Sequence, residues 1–178
     1  MKQFLVRTIC VIAMLTVTST MAWDPDESAE RHAAAQEAKA DMLAKDPEMS
    51  RFFDSAVAYV IIPTVGKAGV GIGGARGKGL LYEGGNITAD ITLTQLTVGF
   101  QWGGQAYSEF IFFKDELALN DFKRGNYELG AQASAVAVTA GASVDADYSE
   151  GVAIFTQAKG GLMYEASVGG QKFKVEPR

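Results

Sequence analysis

Three basic residues lie close together in a part of the chain that has no acidic side chain. Lys67, Arg76 and Lys78 fall within the stretch from Ser55 to Tyr82, which contains no Asp or Glu. Ammonium and guanidinium groups bind phosphate well, the guanidinium through paired hydrogen bonds. The stretch therefore predicts a phosphate-binding site, provided that the three side chains meet on one face. The alternative, a solvated face of scattered charges, stays open.

A second, weaker basic cluster lies near the C-terminus. It consists of Lys159, Lys172 and Lys174, and it is diluted by Glu165 and Glu176. From this cluster we add Lys159 to the candidate phosphate contacts, which are then Lys67, Arg76, Lys78 and Lys159.

Other motifs that could carry chemistry lack the context they need. Gly69–Gly74 satisfies the dinucleotide-binding string, but a strand rather than a helix is predicted after it. The acidic segment Asp145–Gly151 lacks the ligand spacing of a calcium-binding EF-hand loop. His32 lies on a predicted helix, with no nucleophile motif elsewhere for it to serve. We therefore predict no catalytic residue, no metal site and no cofactor, and we predict that the protein is not an enzyme.

The elements that position these residues begin with helices. Residues 28–45 are rich in Ala and contain neither Gly nor Pro, which favours a helix, although its thin apolar stripe predicts loose packing. Asp46 and Pro47 are typical of a helix start, so a second short helix is predicted there. Acidic residues, then basic residues and a final Gly predict one more short helix over Lys114–Gly125.

The rest of the chain alternates in the manner of strands. We predict strands near 57–62, 68–74, 78–83, 88–102, 106–113, 127–141, 151–158, 161–168 and 171–175. Most are joined by short turns, which favours antiparallel pairing. The expected fold is α+β: a mainly antiparallel sheet forming a sandwich or barrel-like core, with N-terminal helices and one short inserted helix.

The N-terminus has the pattern of an export signal. A short basic start, an apolar run to Thr18 and small residues before Ala22 predict cleavage after Ala22. The expected organisation is a signal peptide over residues 1–22, a helical segment over 23–54 and a β-rich domain over 55–178. The whole chain has a net charge of −5, and the cleaved chain one of −7, so nucleic acid is not an expected partner.

Several short motifs, in a fixed order, resemble the SYLF lipid-binding domain family. They extend from Phe52 to Val175 and comprise residues 66–71, 77–79, 98–105, the helix carrying Leu117 and Phe122, and residues 159–162. The resemblance implies an exported bacterial member that binds lipid headgroups. Actin binding, which is known in fungal members, is not expected here.

These observations lead to one preferred function and one alternative. We expect a periplasmic or secreted protein, peripheral to a membrane, that binds anionic phospholipid headgroups. The alternative is a small outer-membrane β-barrel or a structural envelope protein, for which the signal peptide and Gly-rich strands are suggestive. The inserted helix and the polar C-terminal residues 174–178 speak against a barrel.

Overall fold

Seven strands and three α-helices make up the part of the chain that the computed structural model describes, residues 25–99, 105–124, 127–130, 135–160 and 168–178. The helices are α1 (Pro25–Lys45), α2 (Ser50–Ser55) and α3 (Glu116–Lys123), with a 3₁₀ turn over Pro47–Met49. The strands are β1 (Ala58–Glu83), β2 (Asn86–Gly99), β3 (Gln105–Phe113), β4 (Tyr127–Glu128), β5 (Val136–Ala137), β6 (Val152–Ala158) and β7 (Gln171–Pro177).

All seven strands belong to one curled sheet. Their order is β4-β7-β2-β1-β3-β6-β5, and every neighbouring pair is antiparallel except β5 and β6, which are parallel. The sheet curls into a half-barrel, so that Glu109 on β3 meets Gln171 on β7 although β1 and β2 lie between their strands. The predicted α+β fold with a mainly antiparallel, barrel-like core is confirmed.

Strand β1 differs from the prediction because it is continuous over 26 residues. Three separate strands are predicted over 57–62, 68–74 and 78–83, whereas β1 pairs first with β3 and later with β2 without a turn. Its later half curls closely over its earlier half. A Cβ atom on Gly79 would lie 2.4 Å from the Ile61 carbonyl oxygen, so this approach requires a residue without a side chain.

The remaining strand predictions agree in part. The predicted strand over 127–141 corresponds to the short strands β4 and β5, and residues 131–134 between them lie outside the described part. The predicted strand over 161–168 falls almost wholly on residues outside it. The predicted strand over 106–113 corresponds to β3, which lies between β1 and β6 and buries Phe110, Ile111, Phe112 and Phe113.

The two faces of the sheet carry separate hydrophobic cores. The concave side, called the inner face here, buries Ile62, Leu93, Ile111 and Phe173, and α3 packs its Phe122 against them. The opposite side, called the outer face, is covered by α1 and α2 over β1, β3 and β6, where it buries a second set: Ile61, Leu80, Tyr82, Phe110, Phe112 and Phe155. Successive side chains along a strand point to opposite faces of the sheet, so each strand contributes residues to both cores.

Helix α1 packs tightly against the outer face. Ala35 and Met42 are fully buried and Ala38 is 3% exposed, so the prediction of loose packing is wrong. The small Ala side chains let the helix lie close to the sheet, and a narrow stripe is then enough to cover it. The predicted start after α1 is confirmed: the Asp46 side chain accepts a hydrogen bond from the Glu48 amide, with Pro47 next in sequence.

The predicted inserted helix is also confirmed. It extends over Glu116–Lys123, and the Asp115 side chain accepts a hydrogen bond from the Ala118 amide at its start. Lys123 lies in its last turn, where a positive charge is favoured. No helix in the described ranges is long and apolar enough to cross a membrane.

Candidate functional site

Four basic residues form two rows across the outer face of three adjacent strands. In one row Lys78 on β1, Thr92 on β2 and Lys174 on β7 lie side by side. In the next row Arg76, Thr94 and Lys172 are neighbours in the same way. We call Arg76, Lys78, Lys172 and Lys174 the basic face. Strand spacing puts its corners about 7 Å apart along the strands and about 10 Å apart across them.

The alternation of β1 divides the three basic residues of the acid-free stretch. Arg76 and Lys78 are both exposed and share the outer face, because the pairing of β1 with β2 is regular between them. Lys67 has the orientation of Val65 and lies on the inner face, 8% exposed. The condition that all three meet on one face is therefore not fulfilled. Burial lowers the pKa of the Lys67 ammonium group.

Lys159 lies apart from the basic face. It follows β6, is exposed, and donates a hydrogen bond from Nζ to Thr64 Oγ1 at 3.1 Å. Strands β3 and β1 separate it from β2 and β7 in the sheet. The structure thus brings Arg76 and Lys78 together and leaves Lys67 and Lys159 at two other places.

The three lysines of the basic face each have an acidic neighbour. Lys78 Nζ lies 2.9 Å from Glu27 Oε1, and Lys174 Nζ lies 2.8 Å from Glu176 Oε1. Lys172 Nζ lies 3.3 Å from Glu128 Oε2. All these side chains are about half exposed or more, so the pairs are weak and exchange readily with a stronger anionic ligand. The hydrogen bond from Lys78, followed by that from Arg31, holds the pKa of Glu27 below its usual value.

Arg76 differs from the three lysines of this face because it has no ion pair within the described part of the chain. No ion pair or hydrogen bond joins its side chain to any residue that the structure describes. Its guanidinium group can therefore donate two parallel hydrogen bonds to a phosphate without first breaking an ion pair. The half-buried Thr92 and the exposed Thr94 stand between the charged columns and add hydroxyl donors.

An ion-pair network bounds the basic face on one side. Asp90, in the row beyond Lys78, pairs with both Arg31 of α1 and Arg178 at the C-terminus. The hydrogen bond from Arg178 is the main reason why the pKa of Asp90 lies below its usual value. These two arginines are consequently engaged, and they fix α1 and the chain end at the edge of the face.

The inner face carries a buried polar cluster. Gln171 Nε2 donates to Glu109 Oε2 at 2.9 Å and lies 3.3 Å from the Tyr107 hydroxyl. Glu109 is fully buried, and this burial raises the pKa of its carboxyl group to about 8. Glu109 Oε1, Thr156 Oγ1 and Gln171 Oε1 are buried and have no hydrogen-bond partner among the residues that the structure describes. In the described ranges, no three His, Cys, Asp or Glu side chains come together as a metal site would require.

The sequence analysis does not include Lys172 and Lys174 among the candidate phosphate contacts, although both belong to the basic face. The sequence places Lys172 and Lys174 in a weaker cluster, yet they face Arg76 and Lys78 across β2. The useful signal is their spacing of two residues, which places both on the same side of a strand, as it does for Arg76 and Lys78. What the spacing does not reveal is that β7 pairs with β2.

Comparison with known proteins gives the class of this domain. Residues 94–177 match the model of the Ysc84 family, whose description is Las17-binding protein actin regulator, also known as the SYLF family. The predicted resemblance is thereby confirmed for this region, which includes the last six residues of β2 and all of β3 to β7.

A curated relative extends the match further toward the N-terminus. The chain is 26% identical over 126 residues to beta cell expansion factor A from Aeromonas veronii. The alignment covers 70% of this chain and 44% of the relative, so the chain matches less than half of that protein's length.

Proposed function

We propose that this protein is exported and binds anionic phospholipid headgroups at the basic face, without enzymatic activity. The observation that carries the proposal is the double row of cations on β1, β2 and β7, in which Arg76 is free of any described ion pair. The similarity of residues 94–177 to the SYLF family supports it, because this family is associated with lipid and membrane binding.

The charge distribution explains how an acidic protein binds an acidic surface. The net charge, −5 for the whole chain and −7 after the predicted cleavage, would repel anionic lipid if it were spread evenly. A cationic face about 10 Å wide nevertheless acts on headgroups in contact with it, because charges beyond about 8 Å are screened at physiological salt. Binding therefore weakens as salt is added, and the protein leaves the membrane at high salt.

Sedimentation with liposomes tests the proposal. The probe is phosphatidylcholine vesicles with and without phosphatidylglycerol, mixed with the parent and with a variant in which Arg76, Lys78, Lys172 and Lys174 are all replaced by Gln. Each basic residue near an anionic surface contributes on the order of 1 kcal/mol, so the affinity for the anionic vesicles falls by roughly two to three decades.

A matched variant controls for net charge. It replaces Lys45, Lys114, Lys123 and Arg124 by Gln, which removes the same charge away from the basic face and leaves affinity close to that of the parent. Equal binding by the two variants would overturn the assignment of the site. Equal sedimentation with the two kinds of vesicle would overturn the preference for anionic lipid.

Export is tested separately by intact mass. The predicted cleavage after Ala22 leaves a chain that starts at Trp23, and this mass is expected for protein purified from the cell envelope fraction. A chain that still carries residues 1–22 would contradict export by signal cleavage.

A further inference from the structure

A leucine stands exposed in the row next to the basic face. Along β2 the inner-facing residues Leu93 and Gln95 are buried, whereas Thr94 is exposed and Leu96 is 76% exposed. By this alternation Leu96 lies on the outer face, one row beyond Arg76, Thr94 and Lys172. The leucine and the cations therefore face the same way.

The neighbouring strand leaves this leucine uncovered. Its partner on β1 is Gly74, which has no side chain to cover it, and a Cβ atom there would come within 3.3 Å of the Gln95 carbonyl oxygen. The backbone approach thus favours glycine at position 74, and Leu96 remains exposed beside it. A single exposed leucine is common on protein surfaces, so its position is what matters.

Comparison with the other exposed hydrophobic residues gives that position its meaning. Among the described residues the large exposed hydrophobics are Leu96, Leu117 and Val144. Leu117 lies on α3 beside Glu116, and Val144 precedes Asp145, so acidic side chains adjoin both. Leu96 is the member of this set that adjoins the basic face.

We infer that the partner of the basic face is a lipid bilayer and not a soluble anion, and that Leu96 inserts among the acyl chains while the cations hold the headgroups. This inference rests on the proposed function. A soluble polyanion would leave Leu96 in water, whereas a bilayer provides anionic headgroups with an apolar layer beneath them. Arg and Lys near the interface and an apolar residue below it are the usual combination at such surfaces.

A fluorescent label at position 96 tests the insertion directly. Cys10 is the sole cysteine of the chain and lies in the predicted signal peptide, so the chain that starts at Trp23 contains no cysteine and Leu96→Cys in it is labelled directly with an environment-sensitive dye. Leu117→Cys, which replaces a leucine that is 70% exposed on α3, is the matched control. With phosphatidylglycerol vesicles the emission of the label at 96 shifts to shorter wavelength, and spin-labelled acyl chains quench its fluorescence. The emission and intensity of the label at 117 stay unchanged.

Affinity measurements separate the bilayer from a soluble anion. Leu96→Ser is expected to weaken vesicle binding about tenfold, because burial of one leucine side chain is lost, and Leu117→Ser to leave it unchanged. Binding to heparin, a soluble polyanion, is expected to be the same for both variants and the parent. Two results would contradict the insertion of Leu96. One is that the label at 96 keeps the emission of a dye in water when the protein is bound to vesicles, and the other is that the two serine variants bind vesicles with equal affinity.

The outcomes distinguish this inference from the function on which it rests. If neutralisation of the basic face reduces vesicle binding but the label at 96 stays in water, the proposed function stands and the insertion is wrong. If neutralisation has no effect on vesicle binding, the proposed function itself fails.

Discussion

Gln171 donates a hydrogen bond to Glu109 across the interior of the sheet, with 2.9 Å between Gln171 Nε2 and Glu109 Oε2. Their strands, β7 and β3, are separated in the sheet by β2 and β1. This contact therefore spans the concave side, and it ties the strand that carries Lys172 and Lys174 to the strand beside the early half of β1. The contact thus accompanies the curl of the sheet, whereas the rows of the basic face follow from the direct pairing of β1, β2 and β7.

The buried Glu109 makes stability depend on pH. The carboxyl pKa is raised from 4.5 to about 8 by burial, so the folded chain keeps a proton that the unfolded chain releases. The stabilising effect is complete below about pH 4.5 and is lost as the pH rises to about 8. The neighbouring Tyr107 is also buried, which raises the pKa of its hydroxyl, so that group stays neutral throughout this range.

Glu109→Gln is expected to remove this dependence. The free energy of unfolding of the parent, measured by urea denaturation at pH 5, 6.5 and 8, decreases with pH more steeply than that of the variant. At pH 8 the variant is the more stable of the two. Glu30→Gln, at an exposed position of α1, serves as control and retains the slope of the parent. A Glu109→Gln protein with the slope of the parent would show that this carboxyl group does not titrate in that range.

Helix α1 restrains the basic face through one contact. Glu27 Oε1 lies 2.9 Å from Lys78 Nζ and forms an ion pair with it. A headgroup phosphate that binds Lys78 must displace the Glu27 carboxylate. Glu27→Gln is therefore expected to increase the affinity for phosphatidylglycerol vesicles by about two- to fivefold at low salt, with a smaller gain at high salt. Liposome sedimentation at two salt concentrations measures this change.

The matched control for this contact lies on the same helix. Glu30→Gln removes the same charge, but no described ion pair joins Glu30 to the basic face. An equal gain from the two substitutions would mean that net charge, and not the contact with Lys78, limits binding.

Local sequence signals predict the helices well because their causes are local. Asp46 and Asp115 start helices in the structure as their side-chain chemistry requires. The alternation of strands likewise predicts that Arg76 and Lys78 share a face. If residues 58–83 are treated as one strand, the same alternation puts Lys67 on the opposite face. Lys67 lies an odd number of residues before both Arg76 and Lys78, and residues an odd number apart in a strand point to opposite faces.

Long-range relationships could not be predicted from single positions. The pairing of β7 with β2 joins residues about 80 positions apart, and it determines that Lys172 and Lys174 complete the basic face. The contact of Glu109 with Gln171 follows from the curl of the whole sheet. The continuity of β1 through its Gly-rich part is also a tertiary property, because glycine there serves close packing and not a turn.

The separation of the candidate phosphate contacts predicts different effects for their substitutions. Arg76→Gln is expected to weaken binding to phosphatidylglycerol vesicles about fivefold, and Lys159→Gln to leave it unchanged. Lys67→Met is also expected to leave binding unchanged, because that side chain is 8% exposed on the inner face. Liposome titrations of the three variants measure these affinities.

Lys67→Met has a second expected effect, on stability. Burial penalises the charged ammonium group, and Met fills a similar space without charge, so the free energy of unfolding increases. If Lys67→Met weakens vesicle binding as much as Arg76→Gln does, the headgroup site includes the inner face.

Gly79 is expected to be essential for the curl of β1. A methyl group there would lie 2.4 Å from the Ile61 carbonyl oxygen and 2.7 Å from Ile62 Cγ1. The Ile62 side chain can rotate away, but the Ile61 carbonyl belongs to the backbone, so side-chain rotation cannot relieve that clash. Gly79→Ala is therefore expected to reduce the free energy of unfolding by about 1–3 kcal/mol or more. Gly66→Ala, on the same strand, is the control: a Cβ atom added there would have no heavy atom within 4 Å, so the stability of this variant equals or slightly exceeds that of the parent. Urea denaturation of both variants gives the comparison, and equal stabilities would show that β1 does not depend on this close approach.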